Sequence, residues 1–233
     1  MNQQVINKVI MHIPVLHILA ILMLSILMGK FCFLTSKSIL INRIKISKQE
    51  LFAINWRDIL ITFMLLVAYI IAYLRSKTYF EMHLLIILAT CLMILIITDI
   101  WKYIIPDIIQ LVMAVNGIIY AYYNNQYLIK ILLLPLFCYL LVFGVAKFYS
   151  MFAEKSALGM GDMKFFAVSA IYLPVENIAN FFFLSGILGV IMAIFWRMLA
   201  FGRIFPFGPA LAVALFFCLL FPEIEFVNTI INP

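Results

Sequence analysis

Two aspartates interrupt an otherwise apolar chain at places where a carboxylate is costly. Asp99 ends an apolar run, and Asp162 opens a later one. An acid inside a membrane-type segment is expensive unless it is paired or functional. When two such carboxylates share one proton, the ionised acid can take a proton from water while the protonated acid donates to a carbonyl oxygen. The pair therefore indicates hydrolysis of a peptide bond.

The position of each aspartate on its predicted helix suggests how the proton is divided. Asp99 lies near a helix C-terminus, where the dipole disfavours a charged carboxylate. Asp162 follows Gly159 and Gly161 at a helix N-terminus, where the dipole favours it. We expect Asp99 to carry the proton at rest and Asp162 to be ionised. The simpler alternatives are that Asp99 only reaches toward the interface and that Asp162 only caps its helix.

Five further residues stand beside these acids and are candidates for a supporting role. Pro106 and Asp107 form an ordinary helix start, so a structural role is the first interpretation of both. Lys164 suits an anchor at the membrane surface. Gly208 and Pro209 follow Phe207 and are expected to shape the beginning of a helix or to permit close backbone approach.

The composition places the chain in the membrane. It is 67% hydrophobic and 11% charged over 233 residues, whereas soluble domains have about 25% charged residues. The net charge of +6 is explained by Lys and Arg flanking apolar segments, and no nucleic-acid partner is expected. The four cysteines form no C-x-x-C pair and are predicted to be small buried residues. The histidines show no ligand spacing, so we predict neither a metal site nor a cofactor.

Eight apolar stretches predict an all-α, polytopic membrane helix bundle with about eight transmembrane segments. Runs of this length without alternation must be helices in lipid. We divide the chain into residues 1–58, a first span with a basic loop, and residues 59–233, a membrane-embedded core. The stretches are Ile13–Gly29, Ile59–Leu74, His83–Ile100, Ile108–Tyr123, Tyr127–Tyr149, Met163–Ile178, Ala179–Leu199 and Phe207–Phe221.

Basic residues predict the orientation of these spans. The odd-numbered connections hold twelve Lys and Arg residues, and the even side holds four. Because positive residues stay in the cytoplasm, the N-terminus is predicted to lie outside. This count places Asp99, Asp162 and Gly208 on one, cytoplasmic, face.

At these residues the chain resembles the type IV prepilin peptidases, which are GxGD-type aspartic leader peptidases. The similarity lies in the strings Asp99–Asp107, Lys155–Lys164 and Pro206–Pro209. The resemblance implies that Asp99 and Asp162 are the catalytic pair. It further implies a bacterial plasma-membrane protease that removes the leader of prepilins or pseudopilins at the cytoplasmic face.

Two departures from that family concern a second activity, N-methylation of the new terminus. The segment Lys30–Asp58 lacks the paired cysteines common in bacterial members, and Ser156 stands where the family often has Glu. Glu154 lies two positions away. We therefore expect cleavage with weak or absent methylation.

Two other functions stay open at this point. A protease of the presenilin or signal-peptide-peptidase type shares the G-x-G-D string, although in those enzymes a Tyr precedes the first aspartate and here Thr98 does. A transporter or a non-catalytic assembly protein is the other alternative, because membrane-embedded acids also mark ion pathways.

Overall fold

The computed structural model describes residues 15–41, 56–152, 158–199 and 205–224, and every regular element in these ranges is an α-helix. The predicted all-α bundle is thus confirmed. In chain order the helices are α1 (Val15–Ile41), α2 (Trp56–Arg75), α3 (Tyr79–Lys102), α4 (Asp107–Tyr123), α5 (Leu128–Phe152), α6 (Met160–Tyr172), α7 (Val175–Met198) and α8 (Gly208–Leu220).

The helices differ in their capacity to cross a membrane. Five of them, α1, α2, α3, α5 and α7, are long and apolar enough to span one. The apolar helices α4 and α8 are shorter, with 17 and 13 residues. Helix α6 also has only 13 residues, about 20 Å at 1.5 Å per residue. Four of the long helices, α1, α2, α5 and α7, carry exposed apolar side chains over much of their length, which identifies a multi-pass membrane protein.

Two of the predicted boundaries were wrong. The sixth stretch was expected to continue to Ile178, yet α6 ends at Tyr172 and Pro174 caps the start of α7. Proline has no N–H to continue the helix and suits a position at a helix start. The first span was expected to stop at Gly29, but α1 continues to Ile41. The middle of the predicted basic loop, residues 42–55, lies outside the described residues.

Helix α3 is the centre of the bundle. It is buried along most of its length and packs against α1, α2, α4 and α8. Helix α6 forms a second centre, which packs against α4, α5 and α8. The four cysteines are buried and free, as predicted. Because α3 ends and α6 begins in the same region, the acid on each is brought into the interior.

A tyrosine fastens α6 to α4 at the far end of α6. The Tyr172 hydroxyl donates to the backbone oxygen of Met113 at 2.7 Å and lies 2.9 Å from Asn116 Oδ1. The Tyr172 ring also packs so closely on Gly117 that a Cβ there would lie 2.7 Å from a ring carbon. This contact sets the spacing of the two helices.

Replacing Tyr172 with Phe should therefore destabilise the fold. The buried oxygens of Met113 and Asn116 would lose their donor, and we expect a loss of about 1 kcal/mol in the free energy of unfolding. Unfolding by titration with SDS from mixed micelles measures it. Tyr122→Phe is the control, because Tyr122 is 80% exposed; equal effects of the two changes would contradict the assignment.

Candidate active site

Asp99 lies in the last turn of α3, directly before the helix is broken. The helix ends at Tyr103, a non-glycine residue in the left-handed conformation with φ 56°. The backbone N–H of Tyr103 donates to the Asp99 carbonyl oxygen at 2.8 Å. The Asp99 residue is only 5% exposed. Its carboxylate therefore needs a partner inside the protein, since water cannot provide one freely.

The start of α8 supplies that partner. The Gly208 N–H donates to Asp99 Oδ2 at 2.7 Å. A Cβ at position 208 would lie 2.8 Å from the same oxygen, so glycine is required for this approach. Pro209 follows within the first turn, where its missing N–H costs nothing. Both residues are buried, and the hydrogen bond together with the dipole of α8 favours a negative charge on Asp99.

Asp162 is the third residue of α6 and faces back toward the start of that helix. The Gly159 N–H donates to Asp162 Oδ2 at 3.3 Å, so the side chain does cap the helix. Burial raises the pKa of Asp162 to about 7, and the nearby Asp99 charge adds to the rise, while the Gly159 hydrogen bond opposes it. The two carboxylates thus lie within electrostatic reach of one another.

The structure adds a contact that opposes the expected division of the proton, which stays a prediction. The sequence argument put the proton on Asp99, because that residue lies at the C-terminal end of its own helix. In the structure the N-terminus of α8 faces Asp99 and favours its charged form. Asp162, with a pKa of about 7, is half protonated near neutral pH. The pair still shares one proton, which is what acid–base chemistry on water and a carbonyl requires.

A buried amide links the glycine turn to α4, and the sequence analysis did not identify it. Gln110 Nε2 donates to the Gly161 backbone oxygen at 3.0 Å, and Gln110 is 4% exposed. On its other side Gly161 meets Ile105, whose Cβ would lie 3.0 Å from a Cβ at position 161. The signal was present in the sequence, because Gln110 is the one amide in the apolar run Ile108–Ala114.

A second link joins α4 and α6 at the surface. Lys164 Nζ lies 2.7 Å from Asp107 Oδ1, and the two side chains are 42% and 74% exposed. An ion pair this accessible contributes about 0–1 kcal/mol. Pro106 caps the start of α4 and is buried. The helix-start interpretation of Pro106 and Asp107 therefore agrees with their placement.

All nine candidate residues lie at one end of the bundle. Three contacts join the ends of α3, α4, α6 and α8. They are the contacts of Gly208 with Asp99, of Gln110 with Gly161 and of Lys164 with Asp107. The basic residue Arg75 lies at the other end, where its Nε donates to the carbonyl oxygen of Leu220, the last residue of α8. Glu154, Lys155 and Ser156, which concern the second activity, lie outside the described residues.

The comparison with protein families agrees with this arrangement. Residues 86–194 match the family model described as the type IV leader peptidase family. The matched segment contains Asp99, Asp107 and the string Gly159–Lys164, but not the turn at Gly208. Neither the curated proteins nor the solved structures gave a match. The resemblance seen in the motifs is confirmed over this segment, which is similar to the type IV leader peptidases, and the chain around it is a multi-pass membrane protein.

Proposed function

We propose that the protein is an aspartic endopeptidase that removes the leader peptide of prepilins or pseudopilins at the cytoplasmic face of a bacterial plasma membrane. The observation that carries the proposal is the placement of Asp99 and Asp162 at one end of the bundle, each held by a backbone N–H and each within reach of the other's charge. The basic residues flanking the spans support a cytoplasmic position for this end.

The two acids have complementary roles in the proposed reaction. Asp99, held as a carboxylate by the Gly208 N–H, takes a proton from a water molecule as that water attacks the scissile carbonyl carbon. Asp162 donates its proton to the carbonyl oxygen. The tetrahedral species then collapses: the amine accepts a proton from Asp99 as the C–N bond breaks, and a hydroxyl of the former carbonyl carbon returns a proton to Asp162 as the C=O bond re-forms. Water is thus divided between the new carboxyl and amino termini.

The proposal includes cleavage without efficient N-methylation. Carboxylates near the site would help to bind a positively charged methyl donor and to accept the proton of the amine. Ser156 offers none, and Glu154 is the nearest acid in that segment. No cofactor is needed for the hydrolytic step.

The central test replaces each acid with Asn. Asp99→Asn and Asp162→Asn should each lower cleavage of a co-expressed prepilin by at least about a hundred-fold, because an amide cannot exchange the proton. Asp107→Asn is the matched control and should be mild, since it removes only an exposed ion pair. Mass spectrometry of the substrate measures both cleavage and any methyl group. An Asp107→Asn chain as inactive as the other two would require a different pair.

A methyl group at position 208 should also impair the reaction. In Gly208→Ala the new Cβ would lie 2.8 Å from Asp99 Oδ2, so the carboxylate and the N–H that holds it must move apart. We expect kcat for the same substrate to fall by at least about ten-fold. Gly186→Ala is the control, because nothing lies within 4 Å of a Cβ there. Equal rates for the two variants would show that the close approach is dispensable.

The pH profile of the purified protein provides a third test. The reaction needs one protonated acid, and the pKa of Asp162 is raised to about 7 by burial and by the charge of Asp99. Activity should therefore be lost as the pH rises through about 7, when the shared proton leaves. The dependence of the rate on pH should fit the loss of a single proton. The Asp107→Asn variant should show the same loss of activity on the alkaline side of the profile. A rate that stays constant from pH 6 to about 9 would contradict the shared-proton mechanism.

A further inference from the structure

An open groove runs along α6 between two helices that scarcely meet. Helices α4 and α5 both pack on α6, but they make few contacts with each other. The space between them is a groove of about 590 Å³. Leu111 and Ala114 line its α4 wall, Tyr139 lies on its α5 wall, and Ala167 and Val168 form its floor on α6. Such a groove has the shape that an added helix could fill.

The mouth of the groove lies at the same end of the bundle as the two acids, although neither acid lines it. Asp107 and Lys164 line its mouth, and Lys164 is two residues from Asp162 on the same helix. Below the mouth the lining residues on α6 are Ala167 and Val168, one to two turns further along. The axis of the groove therefore leads from that end into the apolar part of the bundle.

The charges of the groove are confined to its mouth. Asp107 and Lys164 are its charged lining residues, and the Asp107 side chain is 74% exposed. Beyond them the lining side chains are apolar apart from Gln110 and the Tyr139 hydroxyl. This order suits a ligand that is polar at one end and continues as an uncharged helix.

A buried acceptor in the groove lacks a partner. Gln110 lines the groove and is 4% exposed. Its Nε2 donates to Gly161, but its Oε1 has no hydrogen-bond partner among the described residues. A buried amide oxygen without a donor loses its hydrogen bonds to water and gains none in return. A ligand that brought an N–H to this oxygen would supply the missing hydrogen bond at a point adjoining the glycine turn.

We propose that the groove between α4 and α5 is the docking site for the apolar transmembrane helix of the substrate. The inference rests on the proposed function, since it takes the ligand to be a membrane-anchored prepilin-like chain. The substrate helix lies against α6, and its unwound N-terminal end reaches the mouth of the groove. A backbone N–H at that end donates a hydrogen bond to Gln110 Oε1. The polar leader then lies outside the mouth of the groove, and the bond to be cut is brought to the level of Asp162.

Photocrosslinking from matched pairs of neighbouring residues tests this placement. p-Benzoylphenylalanine is introduced at Leu111 or at Val112, both exposed on α4, of which Leu111 alone lines the groove. The same comparison is made on α5 with Tyr139, which lines the groove, and Leu140, which is 56% exposed and does not. Each variant carries Asp99→Asn to retain the substrate. The probe is a single-span reporter with a short basic leader, and its cleavage by the unsubstituted chain is measured in parallel.

The expected result is a crosslink to the reporter that is several-fold stronger from Leu111 and Tyr139 than from Val112 and Leu140. Efficient cleavage with equal crosslinks, or with stronger ones from Val112 and Leu140, would overturn the docking site and leave the proposed function standing. Crosslinks from the groove positions to a second copy of the chain, unchanged by the reporter, would also overturn it. Failure of the unsubstituted chain to cut the reporter would overturn the proposed function, and this inference with it.

Discussion

The hydrogen bond between the Gly208 N–H and Asp99 Oδ2 is the constraint on which the rest of the site depends. A carboxylate at the end of the central helix costs several kcal/mol unless it has a partner, and this donor lies 2.7 Å away. The approach requires a residue without Cβ and requires α8 to begin at this point. Phe207, directly before it, packs against Gly189 of α7. The position of Asp99 therefore depends on α8, whose Gly208 lies 109 residues further along the chain, and through Phe207 on α7.

The requirement that buried polar groups have partners inside the protein also explains why the site is built from helix ends. Backbone outside helices is tolerated at membrane depth only where protein buries it. The turn after α3 begins at Tyr103 in the left-handed conformation, and it packs through Ile105 onto Gly161. Gln110 then binds the Gly161 carbonyl oxygen from the first turn of α4. The glycine turn is thus held from two directions, which fixes Asp162 without a large side chain near it.

The sequence predicted the helices well and their pairings poorly. Each apolar stretch corresponds to a helix, because hydrophobic length is a local property. The boundary between α6 and α7 was missed because Pro174 was treated as an interruption within a span rather than as a helix start. One contact that bears on the proton order could not be predicted from the sequence. The dipole of its own helix can be read from the residues near Asp99, whereas the N-terminus of α8 that faces it comes from the fold.

Gln110 could be recognised as unusual from the sequence, but its partner could be identified only from the fold. Its amide is conspicuous in an apolar run, so the sequence could have marked it as a residue in need of a partner. Only the packing of α4 on α6 identifies that partner as Gly161. The cysteines, in contrast, were correctly predicted to be buried, because burial of a small apolar side chain requires no particular neighbour.

Helix α6 connects the acid with the proposed docking groove, and this has a consequence for where a bound substrate would be cut. Asp162 and the groove floor at Ala167 are five residues apart on one helix, about 7.5 Å at 1.5 Å per residue. An extended chain covers that distance in two or three residues at about 3.3 Å each. A substrate whose apolar helix rests on Ala167 would therefore present a bond just before that helix to Asp162. The cleavage position would then be set by a length along α6, and the amino acids of the leader would matter less than the point at which the apolar helix begins.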